Sequence, residues 1–253
     1  MPRTAHYATL LSLLLAAAPL AAAEEGSLLD SICRLKREGG IGSGAVIARD
    51  GANLFVLTNA HVAGPRGSAV RVEFWHRGHH SRPLAGVTVR SVLDAEQSID
   101  VAFVWIPARA RGPVLPPPLR LALMEEPVAA GTVLTAGCAE GRWPSCVPGR
   151  IVAGNNSAVL HFVPQPAAGR SGSPLVDGRG TIVGLVAWRS DAGSSDAASA
   201  AEGHGLAIPH TRLWPALHAA SQYEAKTTTN NRFLTAAPGP SSHCVHGVPL
   251  TAP

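Results

Sequence analysis

Residues 44–62 read GAVIARDGANLFVLTNAHV, two apolar, β-branched runs joined at Asp50-Gly51, with a histidine just beyond the second. Gly51 accepts the positive φ that a tight hairpin turn demands, so the segment predicts two antiparallel strands. Working outward, similar runs recur between turn residues: AVRVEFW, GVTVRSV and DVAFVWI, then TVLTAG, RIVAG, AVLHFV and TIVGLVAW. Short strands at this spacing, with no helical period between them, imply an all-β sandwich or barrel. They form one block from about residue 31 to 107 and another from about 120 to 209.

Between the blocks lies ARARGPVLPPPLR, whose four prolines cannot donate to a strand ladder and so predict a linker over residues 109–120. After the second block, HTRLWPALHAA carries Leu213, Leu217 and Ala220 at helical spacing, with Pro215 near its start. One short C-terminal helix is expected. From Tyr223 onward there are few core formers and no period, and residues 223–253 are expected to be a poorly ordered tail. At the other end, residues 1–23 combine Arg3, an apolar run from Leu10 and the small residues Ala21 to Ala23, the pattern of a cleavable secretory signal peptide. The apolar run is shorter than the ~20 residues needed to cross a bilayer, so no stable membrane insertion is expected after cleavage. A secreted or periplasmic chain follows.

The formal net charge of +4 falls to +3 without Arg3, and no run of Lys and Arg appears. Nucleic acid is therefore disfavoured as a partner, since it is met by clustered cations. The four cysteines suit an oxidising compartment but allow three pairings. The short loop CAEGRWPSC favours a Cys138–Cys146 disulfide, worth roughly 2–3 kcal/mol on chain entropy, with Cys33 and Cys244 left for each other. WHRGHH and SSHCVH gather histidines without the four-ligand spacing of a structural metal site, so no metal is expected.

Acyl-bond hydrolysis by serine needs a hydroxyl, an imidazole to take its proton, a carboxylate to orient that imidazole and two amide donors at the developing oxyanion. AAGRSGSPLVDGRG, residues 167–180, offers Ser171, with Gly169 two residues earlier to tighten the turn. That arrangement would let the Gly169 and Ser171 amides face one point, although G-x-S-G is by itself ordinary turn chemistry. His61 ends an apolar strand where a loop can present it, and Asp100 stands at the entrance of the apolar DVAFVWI. Asp94 competes with Asp100 but lies in the polar stretch DAEQS.

Taken together, GSGAVIARDGANLFVLTNAHV, SIDVAFVWI, GRSGSPLVDGRGTIVGLVAW and GHGLAIP resemble the chymotrypsin-fold serine peptidases, and within them the HtrA-like bacterial branch. The resemblance spans about residues 31–220, in the family's order of His, Asp and Ser. It implies two six-stranded antiparallel β-barrels, over 24–108 and 121–222, with the active site between them. It also implies His61 as general base, Asp100 as its orienting carboxylate, Ser171 as nucleophile and the Gly169 and Ser171 amides as oxyanion hole. Substrates would be proteins or peptides, and no cofactor is implied.

The sequence departs from the resemblance at several points. Where digestive and clotting relatives place an Asp that pairs with a new N-terminal amine, this chain has Arg170, which would repel that amine. Ser173 stands where most relatives have a second glycine, and a left-handed backbone there would be strained. These two residues motivate an alternative reading, a protease-fold protein that binds peptides or a partner with little catalysis. By alignment Gln165 would lie at the base of the specificity pocket, with Ala187 and Arg189 on its wall, which disfavours basic side chains and suits small or medium uncharged ones. The residues after the helix are too few for the PDZ domain common in the HtrA-like branch, and the oligomeric state is not implied.

Overall fold

The computed structural model describes residues 25–51, 53–76, 79–107, 116–128, 131–152, 158–189 and 203–218. The expected signal segment, most of the linker and the expected tail lie outside them. Seven strands come from the first block: β1 (Ile32–Arg37), β2 (Gly40–Asp50), β3 (Asn53–Thr58), β4 (Ala69–His76), β5 (His79–His80), β6 (Leu84–Asp94) and β7 (Ile99–Ile106). They pair in the order β1-β2-β3-β7-β6-β4, and β4 returns to β1, which closes a six-stranded antiparallel barrel. The two-residue β5 only extends β4.

The second block supplies β8 (Arg120–Leu121), β9 (Thr132–Gly137), β10 (Ser145–Val152), β11 (Leu160–Val163), β12 (Pro174–Val176), β13 (Thr181–Arg189) and β14 (Gly205–Pro209). The ring β12-β9-β10-β11-β14-β13 closes through β12–β13 into a second six-stranded antiparallel barrel. β8 adds to it in parallel, Arg120 and Leu121 beside Thr181 and Ile182. Closure leaves neither ring with a free edge.

Among the described residues three short α-helices accompany the barrels: α1 (Glu25–Asp30), α2 (Ala60–Ala63) and the expected C-terminal helix α3 over residues 210–218. Leu213, Trp214 and Leu217 of α3 are buried, and the Trp214 indole donates to Ala122 O at 2.6 Å, so the helix is sealed against the second barrel. The anticipated hairpin is present, with Asp50 opposite Asn53 and Gly51 at φ +52°.

Each barrel has its own apolar filling, and a third cluster joins them. Val46, Leu54, Val72 and Val104 pack inside the first barrel, and Val133, Phe162, Leu175 and Val186 inside the second. Ile32, Leu57 and Phe103 of the first barrel share one cluster with Ala136, Leu185 and Ile208 of the second and with α3. A polar brace adds to this seam. Arg34 of β1 donates to Glu73 at 2.7 Å and to Gly141 O, and its guanidinium lies 3.9 Å from the Trp143 ring centre. Trp143 in turn stacks on Trp75 and His80 of the first barrel, with ring centres 4.9 and 5.0 Å away.

The expected Cys138–Cys146 disulfide is not formed, and Cys33 and Cys138 are buried thiols. Cys146 lies opposite Ala136 in the β9–β10 ladder, so Cys138, two residues on, is its diagonal neighbour. Diagonal pairs stand roughly 7–8 Å apart, beyond the usual reach of a disulfide. The ladder already closes the loop that the disulfide was expected to close. Cys244 lies outside the described residues.

Candidate active site

β3 stops at Thr58, and Asn59, still extended at φ −85° and ψ 152°, starts the single turn of α2. Ala60, Val62 and Ala63 turn inward and are buried, which leaves His61 facing outward with its side chain 41% exposed. β7 runs beside β3, with Ala102 opposite Thr58, so Asp100 arrives next to that turn. Asn59 Nδ2 donates to Asp100 O at 2.7 Å. Asp100 Oδ1 accepts from the His61 amide at 3.1 Å, and Oδ2 is hydrogen-bonded to His61 Nδ1. The carboxylate is thus removed from water with both oxygens engaged, its side chain 1% exposed. Asp94 instead caps the β6–β7 turn, accepting from the Gln97 amide at 2.9 Å.

Ser171 sits in the turn between Ala167 and Ser173. Gly169 and Gly172 hold it at φ +84° and +83°, conformations that exclude other residues on steric grounds. Space excludes them too: a Cβ on Gly172 would stand 2.1 Å from Ser43 O, and one on Gly169 2.6 Å from Cys138 O. The expected strain at Ser173 is absent, because the left-handed position is Gly172, one residue earlier. Ser173 is fully buried, with no hydrogen-bond partner for its Oγ, and fits only because Gly137 lacks a side chain.

Three carbonyls around Ser171 are engaged. Ser43 Oγ donates to Gly169 O at 2.8 Å, the Ser43 amide to Ser171 O at 2.8 Å, and the Ser173 amide to Arg170 O at 2.9 Å. Ser43 Oγ also accepts from the Cys138 amide at 2.8 Å, and Ser43 O accepts from Thr58 Oγ1 at 2.7 Å. Among the described residues neither the Gly169 nor the Ser171 amide donates to a backbone carbonyl, whereas the Arg170 amide bonds Ala167 O at 3.2 Å. This leaves two donors beside the Ser171 side chain.

His61, Asp100, Gly169, Ser171 and Ala187 line one cavity of about 430 Å³ at the seam of the two barrels. Val186 and the exposed Leu93 complete part of its apolar wall. Gln165 is exposed, beside Gly203, and the cavity wall begins one residue later at Pro166. Arg189 lies opposite Gly205 in the β13–β14 ladder, and its side chain falls outside the described residues. Sequence reasoning did not single out Ser43. Its one local signal was the pair of glycines around it in GSG, residues 42–44, which foretells a close approach of backbones.

Residues 42–185, more than half of the chain, match the family described as the trypsin-like peptidase domain. The chain belongs to that family. As a trypsin-like peptidase it is a serine endopeptidase, and its fold is shared with solved serine proteases. One is Rv3671c from M. tuberculosis H37Rv, in the inactive form of a serine-to-alanine mutant, at 22% identity and TM-score 0.54, covering 88% of this chain and 98% of that one. Another is the serine endoprotease from Yersinia pestis, at 20% identity and TM-score 0.60, covering 80% and 68% respectively. At these identities the likeness is one of fold. No curated protein sequence matches.

Proposed function

We propose that this trypsin-like peptidase hydrolyses peptide bonds through an acyl-enzyme, with Ser171 as nucleophile, His61 as general base and Asp100 as the group that orients the imidazole. The observation that carries this reading is the doubly bonded Asp100 carboxylate. It holds His61 by backbone amide and ring Nδ1 together, so that Nε2 remains for the cavity that Ser171 also lines. In the first step Ser171 Oγ bonds to the scissile carbonyl carbon, His61 takes its proton, and the carbonyl oxygen becomes an oxyanion facing the Gly169 and Ser171 amides. The tetrahedral intermediate then expels the amine, which takes the proton from His61, and water repeats the sequence on the ester. Buried Asp100 favours the imidazolium of each step.

The Ser-rich and Ala-rich character of residues 190–202 is outside the described residues, and the substrate preference rests on the cavity wall. With Ala167, Ala168, Val186 and Ala187 there and no carboxylate besides Asp100 among the described residues, the wall suits small or medium uncharged side chains. Export to a secreted or periplasmic location rests on residues 1–23 alone.

A fluorophosphonate probe, which phosphonylates an activated serine, tests the assignment together with turnover of casein. Wild type should label and Ser171→Ala should not, and loss of Ser171 should lower kcat by about 10⁶-fold. Correctly folded wild type that neither labels nor turns over casein would instead leave the peptide-binding reading.

A further inference from the structure

Arg170, between Gly169 and Ser171, is 3% exposed and has no carboxylate among its hydrogen-bond partners in the described residues. Its fork divides evenly between two strands. Nη1 donates to Thr135 O and Thr135 Oγ1, both at 3.1 Å, and Nη2 to Ser145 O at 3.1 Å and Ser145 Oγ at 2.7 Å. Thr135 belongs to β9 and Ser145 opens β10, so the guanidinium spans the neck of the β9–β10 hairpin. Burial pushes its pKa down, and the nearby Cys146 and Cys138 thiols push part of the way back.

A buried cation without a counter-charge is costly, and an apolar side chain of similar volume would fill the space at less expense. What it could not do is bond four oxygens from one rigid plane. Packing alone therefore does not account for arginine here. The same three-residue stretch is held by Ser43 from the other barrel, at Gly169 O and Ser171 O. Ser43 restrains the Gly169–Arg170 and Ser171–Gly172 peptide units, and the Arg170–Ser171 unit between them, which carries the Ser171 amide, turns with the backbone to which the Arg170 side chain is anchored.

We infer that Arg170 is a positioning residue, whose forked hold on Thr135 and Ser145 keeps the Gly169 and Ser171 amides aimed at the cavity. The inference rests on the catalytic reading of Ser171. It assigns the effect to the planar fork and not to the charge, so lysine cannot replace it.

The test uses the full-length protein and compares wild type, Arg170→Lys, Arg170→Met and Ser171→Ala by fluorophosphonate labelling rate and by kcat and KM on a peptide substrate, well below each melting temperature. Labelling of wild type but not of Ser171→Ala establishes the catalytic reading independently. Both Arg170 variants should then lose about 10- to 100-fold in kcat and in labelling rate, with KM nearly unchanged, because misaimed oxyanion donors weaken the transition state and not substrate binding. Arg170→Lys at the wild-type rate, or a loss confined to KM, overturns the inference and leaves the catalytic reading standing. If the Arg170 variants do not fold, Ser145→Ala removes one hydroxyl partner at an exposed position. A several-fold slower labelling rate supports the inference, and an unchanged rate overturns it. Wild type that does not label overturns the catalytic reading and this inference with it.

Discussion

The two sides of the cleft are built in different ways. The His61–Asp100 side belongs to one barrel and is nearly self-contained: adjacent strands β3 and β7 bring the residues together, and the bonds from Asn59 and His61 to Asp100 stay within that barrel. The Ser171 side is a turn whose shape depends on partners elsewhere. Ser43 reaches it from the other barrel, Arg170 ties it to the β9–β10 hairpin, and the Gly172 amide donates to Val186 O of β13 at 2.9 Å. The difference teaches that His61 is placed by the folding of one barrel, whereas Ser171 and the amides beside it are placed only when both barrels have docked.

Three changes probe that contrast, in order of expected size. Asp100→Asn strikes the self-contained side, where the amide cannot hold His61 in the required tautomer; kcat should fall by about 10⁴-fold while circular dichroism retains the β-rich spectrum. Activity within tenfold of wild type would mean that Asp100 does not orient the base. Ser43→Ala strikes the docked side and leaves the Cys138 amide buried without its acceptor. It should lower kcat by about 10- to 100-fold and stability by about 1–3 kcal/mol, read from peptide kinetics and a urea melt. Unchanged values in both would show that the turn holds itself without the first barrel.

The smallest effect concerns the brace around Arg34. Burial raises the Glu73 pKa, but hydrogen bonds from Arg34 and Lys36 outweigh it and hold the carboxyl below its ordinary value. Its contribution is therefore complete above the unfolded pKa of about 4.3 and is lost as pH falls through the lower folded value. Glu73→Gln should cost about 1 kcal/mol or less at pH 7, and the gap to wild type should narrow in urea melts as the pH is lowered below about 4.3. Identical melts at pH 7 would show that this ion pair does not strengthen the seam.

Much of the candidate site was legible in advance because its signals are local. Strand runs with turn residues between them are visible over six to eleven residues, and Asp50-Gly51 marked its hairpin. Asp100 could be separated from Asp94 because one precedes an apolar strand and the other sits in a polar turn. Ser173 misled because the number of glycines in a turn does not tell which residue bears the positive φ; Gly172 bears it. The disulfide expectation failed for a related reason. Loop length suggested that Cys138 and Cys146 meet, while the register, set by which β9 and β10 residues face the core, holds them diagonally apart.

By itself the sequence determined the all-β class, the division into two strand blocks, the closing helix and three candidate residues in order, since these depend on periodicity, turn chemistry and near neighbours. Only the tertiary structure decided which side chains restrain the Ser171 turn. Ser43 and Gly169 are 126 positions apart, Arg34 and Gly141 107, and Arg170 and Thr135 35. Contacts over such separations leave no local pattern; they arise when two closed barrels bury a common apolar seam and the polar groups brought to it must find partners there.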